Sequence, residues 1–215
     1  MFPTIEMRWF YSGSIPPEIL NWFELTADAP EDQPLRVDRY LQLTDDDSLG
    51  VKLREGRLEV KRLQGVKGIV HLHERVAGRL EHWCKWIYDA VDADGKHLET
   101  LFPGSAWIAV EKDRILQRLR LTGKEWSVVP PANEPDWQGC DLELTRIHVG
   151  GQEWWTLGFE AYGSEPTLKE NLISASSQVF AIAEPPALRT EDSLSYPGWL
   201  AMLADEGGLP SRDPN

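Results

Sequence analysis

This 215-residue chain predicts a mainly β fold of roughly eight antiparallel strands with flanking helices, and three observations carry that expectation. Charged and apolar residues alternate with a period of two in several separate stretches, most clearly in SLGVKLREGRLEVKRL (Ser48–Leu63). Turn residues divide those stretches at short intervals. Helix start signals fall only towards the two ends of the chain.

Thr4–Tyr11 alternates as a strand, with Glu6 and Arg8 on one parity and Ile5, Met7 and Trp9 on the other. Ser14-Ile15-Pro16-Pro17 then opens a short helix whose Ile19, Leu20 and Phe23 share a face. Asp28–Pro34 reads as a loop and Arg36–Leu43 as the next strand. In Ser48–Leu63, Val51, Leu53, Leu58 and Val60 take one parity, while Lys52, Arg54, Glu59 and Lys61 take the other. Glu55-Gly56-Arg57 turns the chain between them. Strand-like segments follow at Ile69–Val76, Arg79–Asp89 and Trp107–Leu121, with a turn at Asp92–Gly95.

Glu125–Trp137 holds two adjacent prolines and reads as a loop. Cys140–Val149 and Glu153–Tyr162 then form a hairpin across Gly150-Gly151. Thr167-Leu168-Lys169-Glu170 fits a capping box opening a helix to about Ala183, and Pro197–Ala204 fits a shorter one. One domain is expected over residues 1–204, with a flexible tail over 205–215. Closely spaced strands of this kind form a closed barrel or a sandwich, and the choice depends on which parity faces inward.

Composition bounds the function. Of the charged residues 35 are acidic and 22 basic, a formal net charge of −13, which argues against a nucleic-acid partner. The imbalance is local. Residues 36–120 carry 16 basic and 14 acidic residues, while the remainder carries 6 and 21, so the Lys and Arg collect in the strands of the centre. Cys84 and Cys140 are too few for a disulfide scaffold, so free thiols are expected. Polar residues interrupt every oily run and no leader pattern opens the chain, so a cytoplasmic protein without a membrane partner is expected.

The motifs TIEMR, LGVKLREGRLEVK, VEKDR, DLELTRI and LGFEAYG, in that order, resemble the CYTH family, the triphosphate tunnel metalloenzymes. The likeness in element order spans about residues 4–203 and includes the closing SYPGWLAML. It implies a closed antiparallel barrel of about eight strands whose charged parity faces inward. It also implies a phosphohydrolase acting on a triphosphate-containing substrate with Mg2+ or Mn2+. On that resemblance Arg8, Lys52, Arg54, Lys61, Lys85, Lys112 and Arg114 bind the small phosphorylated anion. Glu6, Glu143 and Glu160 hold the metal, with Glu6 and Glu160 catalytic.

The family's pattern is incomplete here. Thr4 replaces the first acid of its N-terminal Glu-x-Glu-x-Lys strand, and Arg8 replaces the lysine. Of its late acidic pair only Glu160 remains, flanked by Gly158 and Tyr162. These departures motivate an alternative, a non-catalytic barrel that binds polyphosphate or another organic anion. A third reading is a calycin-like or sandwich binder of a pigment, lipid or sugar that uses some of the ten tryptophans. That reading requires an apolar interior with Lys52, Arg54, Lys61 and Lys112 outside.

The chemistry of the first two readings is direct. A triphosphate carries several charges, and cations converging from different strands meet it with charge-assisted hydrogen bonds. His71-Leu72-His73, with His82 further on, lacks a third ligand at a metal-site spacing. Thr122-Gly123-Lys124 lacks the earlier glycine of a phosphate loop, and no G-x-S-x-G, H-E-x-x-H or G-x-G-x-x-G occurs.

Overall fold

The alternating stretches pair with one another, and their pairing closes. The computed structural model describes residues 1–26, 30–43, 46–90, 107–122, 125–128 and 138–207, with Glu31 and Thr122 described by backbone alone. Among them are strands β1 (Phe2–Ser12), β2 (Glu31–Leu41), β3 (Leu49–Arg54), β4 (Arg57–His73) and β5 (Val76–Asp89). Then come β6 (Trp107–Thr122), β7 (Glu125–Val128), β8 (Gly139–Val149) and β9 (Gln152–Tyr162). The helices are α1 (Pro17–Thr26), α2 (Leu168–Ile182) and α3 (Tyr196–Asp205).

The strand order is β2-β3-β4-β5-β1-β9-β8-β6, and β6 pairs back onto β2. Eight strands therefore form a closed antiparallel barrel, and closure leaves those strands no free edge. β7 adds to the C-terminal end of β6.

Two-residue turns set the register of two hairpins. Glu55 and Gly56 have φ of 49° and 75°, and Gly150 and Gly151 have 57° and 79°. Left-handed backbone at both positions matches the twist of the flanking strands.

Four local expectations are corrected. Leu58–Leu63 and Ile69–His73 belong to one strand, β4, rather than two. Its pairing with β5 slips at Leu63/Gly65 and Val66/Ile69, where Gly65 and Gly68 take positive φ, so bulges bend it without ending it. β2 begins at Glu31, inside the stretch expected as a loop, and its register shifts between Gln33 and Arg36 around Pro34, which has no N–H to donate. Glu125–Val128 is a strand, not loop. Thr167 makes no capping box: it ends a 3-10 turn, and its hydroxyl pairs with Gln138 and Ser164 instead. The turn at Asp92–Gly95, the Gly123-Lys124 pair, the loop beyond Val128 and the tail from residue 208 lie outside the described residues.

Two apolar clusters surround the barrel's charged middle. Ile5, Met7 and Trp9 of β1, with Leu144 of β8 and Leu157 and Phe159 of β9, pack outward under α1 and α2. The second cluster is interior. Phe10, Tyr40, Val110 and Ile147 point inward near one end of the barrel, and α3 lays Trp199, Leu200 and Leu203 onto them. Phe10 stacks on Trp199 at 4.9 Å between ring centroids. Ser195 starts α3 by accepting a hydrogen bond from the Gly198 amide at 3.2 Å. This helix closes that end. Cys84 and Cys140 are buried and free, and no described helix is long and apolar enough to cross a membrane.

Candidate functional site

The charged parity of every long alternating stretch faces the barrel interior. A cavity of about 150 Å3 there is lined by Glu6 and Arg8 of β1, Arg36 and Tyr40 of β2, and Lys52 and Arg54 of β3. β4 adds Glu59 and Lys61, β5 adds Trp83 and Lys85, and β6 adds Lys112 and Arg114. Glu143 of β8, Glu160 of β9 and the start of α3, Ser195 to Pro197, complete the lining. All ten residues singled out from the sequence thus meet in one place. Lys52, Arg54, Lys61 and Lys112 are inside, so the arrangement that the pigment, lipid or sugar reading requires is not the one observed.

Eight cations and four glutamates line this space, and they are unevenly distributed. On the side of β1, β8 and β9 the charges pair off. Glu143 lies between two arginines, with Arg8 Nη1 at 2.9 Å from one oxygen and Arg114 Nη1 at 2.9 Å from the other. Thr145 donates to it as well, at 3.0 Å. Burial alone would raise the Glu143 carboxyl, but Arg8 and Arg114 hold it well below the ordinary carboxylate value. Burial opposes the charge on Arg8 in turn, and Glu143 more than restores it.

Glu6 and Glu160 stand directly opposite each other in the β1–β9 register. Lys61, arriving from β4, contacts Glu6 and lies 3.5 Å from Glu160. Burial and the neighbouring Glu160 push Glu6 up against the pull of Lys61. Glu160 resists burial because Lys61, Lys85 and Arg8 face it, and it is brought down to about 2. Three cations and three carboxylates balance here.

The opposite wall has an excess. Asp38, fully buried behind the cavity surface, takes Lys112 at 3.0 Å, Arg36 at 3.3 Å and Lys52 at 3.4 Å. Burial would raise Asp38, but these three cations together hold it far below the ordinary range. Burial pushes the Lys112 ammonium well below the usual lysine value, with Lys52 and Arg36 adding to the effect and Asp38 opposing it. Tyr40 accepts from Lys112 at 2.7 Å, and the Tyr196 ring lies 3.6 Å from its nitrogen. Glu59 serves Lys52 at 3.1 Å and Arg54 at 3.8 Å. Lys85 makes no ion pair with any described carboxylate. Within this wall Arg36, Lys52, Arg54, Lys85 and Lys112 are thus served by Asp38 and Glu59, with the exposed Glu55 at 3.9 Å from Arg54 and Glu160 across the cavity drawing on Lys85.

A divalent ion held by Glu6, Glu143 and Glu160, as the family resemblance implies, does not fit this donor set. Glu143 is engaged on both oxygens by arginines, and Lys61 already serves Glu6 and Glu160. Among the described residues no three carboxylate, imidazole or thiol groups converge as a metal site. Among the described residues the histidines do not converge either. His71 is exposed, His73 accepts from the Arg75 amide, and His82 is buried 3.6 Å from Glu165.

Several residues in and behind the cavity wall escaped the sequence reading. Arg36, Asp38 and Tyr40 share the same two-residue period as their neighbours, and that parity was the available signal. Trp83 lies two residues from Lys85 on the same face. Ser195 and Tyr196 carry no local signal, because nothing in SYPGWL says that a helix start lies inside a barrel.

No family model matches the chain, and no curated protein matches it. Among solved structures it is similar to a conserved hypothetical protein from Pyrococcus furiosus, with 14% identity and a TM-score of 0.46 over 90% of this chain and 98% of that one. It is also similar to a protein from Pyrococcus horikoshii, with 16% identity and a TM-score of 0.41 over 88% and 93%. Likenesses this slight carry no argument about what the barrel holds.

Proposed function

We propose that the barrel interior binds a small polyphosphate anion of the triphosphate class. The uneven wall carries this reading: the five inward cations of β2, β3, β5 and β6 outnumber the carboxylates that serve them, and Lys85 lies within ion-pair distance of no described carboxylate. Buried like charges repel one another strongly where water is scarce, and a multivalent anion relieves that repulsion. The Nε atom of Arg114 is buried without an acceptor, which leaves a donor for a phosphate oxygen. The sequence resemblance to the triphosphate tunnel family supports the same ligand class.

Calorimetric titration with inorganic tripolyphosphate, and with orthophosphate for comparison, tests this reading. Binding should favour tripolyphosphate and weaken as salt is added. Equal or absent binding of the two ions would end the proposal. A second reading, the metal-dependent hydrolysis that the family resemblance implies, requires a divalent ion to displace Lys61 from the opposed Glu6 and Glu160. Phosphate release with Mg2+ or Mn2+, against a chelator control, separates it from binding alone. Under it, Glu160→Gln spares anion binding and abolishes release.

A further inference from the structure

The carboxylate pair Glu6–Glu160 has a tenant from its own chain. Lys61 originates on β4, which is separated from β1 by β5 and from β9 by β5 and β1. It nonetheless extends its ammonium to both carboxylates, contacting Glu6 Oε1 and reaching within 3.5 Å of Glu160 Oε1. Thr4, standing where the resembling family has an acid, donates its hydroxyl to that same Glu6 oxygen at 2.8 Å. Glu143, the third carboxylate, is turned to Arg8 and Arg114. The acids available to a cation here number two rather than three or more, and a neutral donor serves one of them. This is the charge set of a monovalent guest. A divalent ion would have to displace Lys61 or sit against its positive charge.

We propose that the Lys61 ammonium is the resident cation of the Glu6–Glu160 pair, occupying the position that a divalent metal would need, so that anion capture in this barrel requires no divalent ion. Its anion arm rests on the polyphosphate reading above; its metal arm does not. Lys61 then orders Glu6 and Glu160 permanently and keeps their charge from opposing an anion held by Arg54 and Lys85.

Two measurements on the full chain test it. In the first, Mn2+ alone is titrated and the free ion is followed by its paramagnetic resonance signal. Wild type should show no site that Glu160→Gln removes, whereas Lys61→Met should bind Mn2+ at least about tenfold more tightly and lose that gain in Lys61→Met/Glu160→Gln. Wild-type Mn2+ binding that Glu160→Gln abolishes would overturn the proposal, and this comparison stands even if Lys61→Met fails to fold. In the second, tripolyphosphate affinity is measured in chelator and in excess Mg2+. Because Mg2+ complexes tripolyphosphate in solution, affinity in chelator equal to or tighter than in Mg2+ supports a resident lysine, and loss of binding in chelator overturns it. No tripolyphosphate binding in either buffer would overturn the anion reading, while the Mn2+ titration would still decide the role of Lys61.

Discussion

Gly158 lies directly across the β1–β9 ladder from Arg8, and a β-carbon built on it would come within 2.9 Å of the guanidinium carbon. The vacancy at 158 and the bulk at 8 are two halves of one arrangement. An acid at 158 would occupy the space through which Arg8 reaches Glu143. The two departures from the family pattern, read separately in the sequence, are therefore spatially coupled. Gly158→Ala should push the guanidinium away from its 2.9 Å contact with Glu143 and destabilise the fold by about 1–3 kcal/mol. Urea denaturation measures this, and the cost should shrink in an Arg8→Ala background. An equal cost in both backgrounds would uncouple the two positions.

Lys85→Ala and Arg54→Ala should separate binding from stability. Lys85 makes no ion pair with a described carboxylate, and Arg54 holds only longer contacts, 3.9 Å to Glu55 and 3.8 Å to Glu59. Removing either relieves repulsion on the cationic wall while taking a charge-assisted contact from the anion, a loss of about 1.5–3 kcal/mol or roughly tenfold and more in affinity. Thermal denaturation should show an unchanged or higher midpoint in Arg54→Ala and a small drop in Lys85→Ala, which loses its pull on Glu160 and Glu59, and calorimetry a weaker tripolyphosphate signal in both. Normal binding in both variants would move the anion elsewhere.

Glu143→Gln should behave in the opposite way. Arg8 and Arg114 would lose the only carboxylate that either holds within 3 Å among the described residues, and two buried cations without a counter-charge cost about 3–5 kcal/mol. Tripolyphosphate can supply the missing negative charge. The variant's melting temperature should therefore rise more on adding the anion than that of wild type, and an equal rise in both would place the anion away from Arg8 and Arg114.

Glu160 gives the fold a pH signature. Its carboxyl is brought down to about 2 from an ordinary 4.5 because Lys61, Lys85 and Arg8 outweigh burial. A group depressed in the folded state stabilises the protein above its unfolded value and loses that contribution as pH falls towards the folded one. Glu160 should thus contribute on the order of 3 kcal/mol at neutral pH, lost between about pH 4.5 and pH 2. Urea midpoints at neutral pH and at steps through that window should fall less steeply in Glu160→Gln than in wild type. Parallel curves would show that Glu160 titrates normally.

Alternation made the strands legible, and it grouped Glu6, Arg8, Lys52, Arg54, Lys61 and Lys112 onto consistent parities. It could not say which parity faced inward, since period two is the same for a solvated face and a lined interior. The inward choice rested on the family resemblance. What stayed hidden depends on contacts between distant segments. Asp38 gathers three cations from three strands, and Tyr196 covers Lys112 from a helix more than eighty residues away in sequence. The boundaries of β2 and β4 were obscured by Pro34, Gly65 and Gly68, residues that mark a turn in isolation and a bulge once a partner strand holds both sides.

The seating of Trp199 and Leu203 against Phe10, Val110 and Ile147 makes the barrel a blind-ended vessel rather than a pipe. On the polyphosphate reading, a guest cannot pass out through the end that α3 covers. On that reading a long inorganic polyphosphate cannot be threaded through, and only its terminus can enter. Chain length thus becomes a selectable property: short oligophosphates can sit wholly within the vessel, while longer ones must leave their surplus charge hanging in solvent.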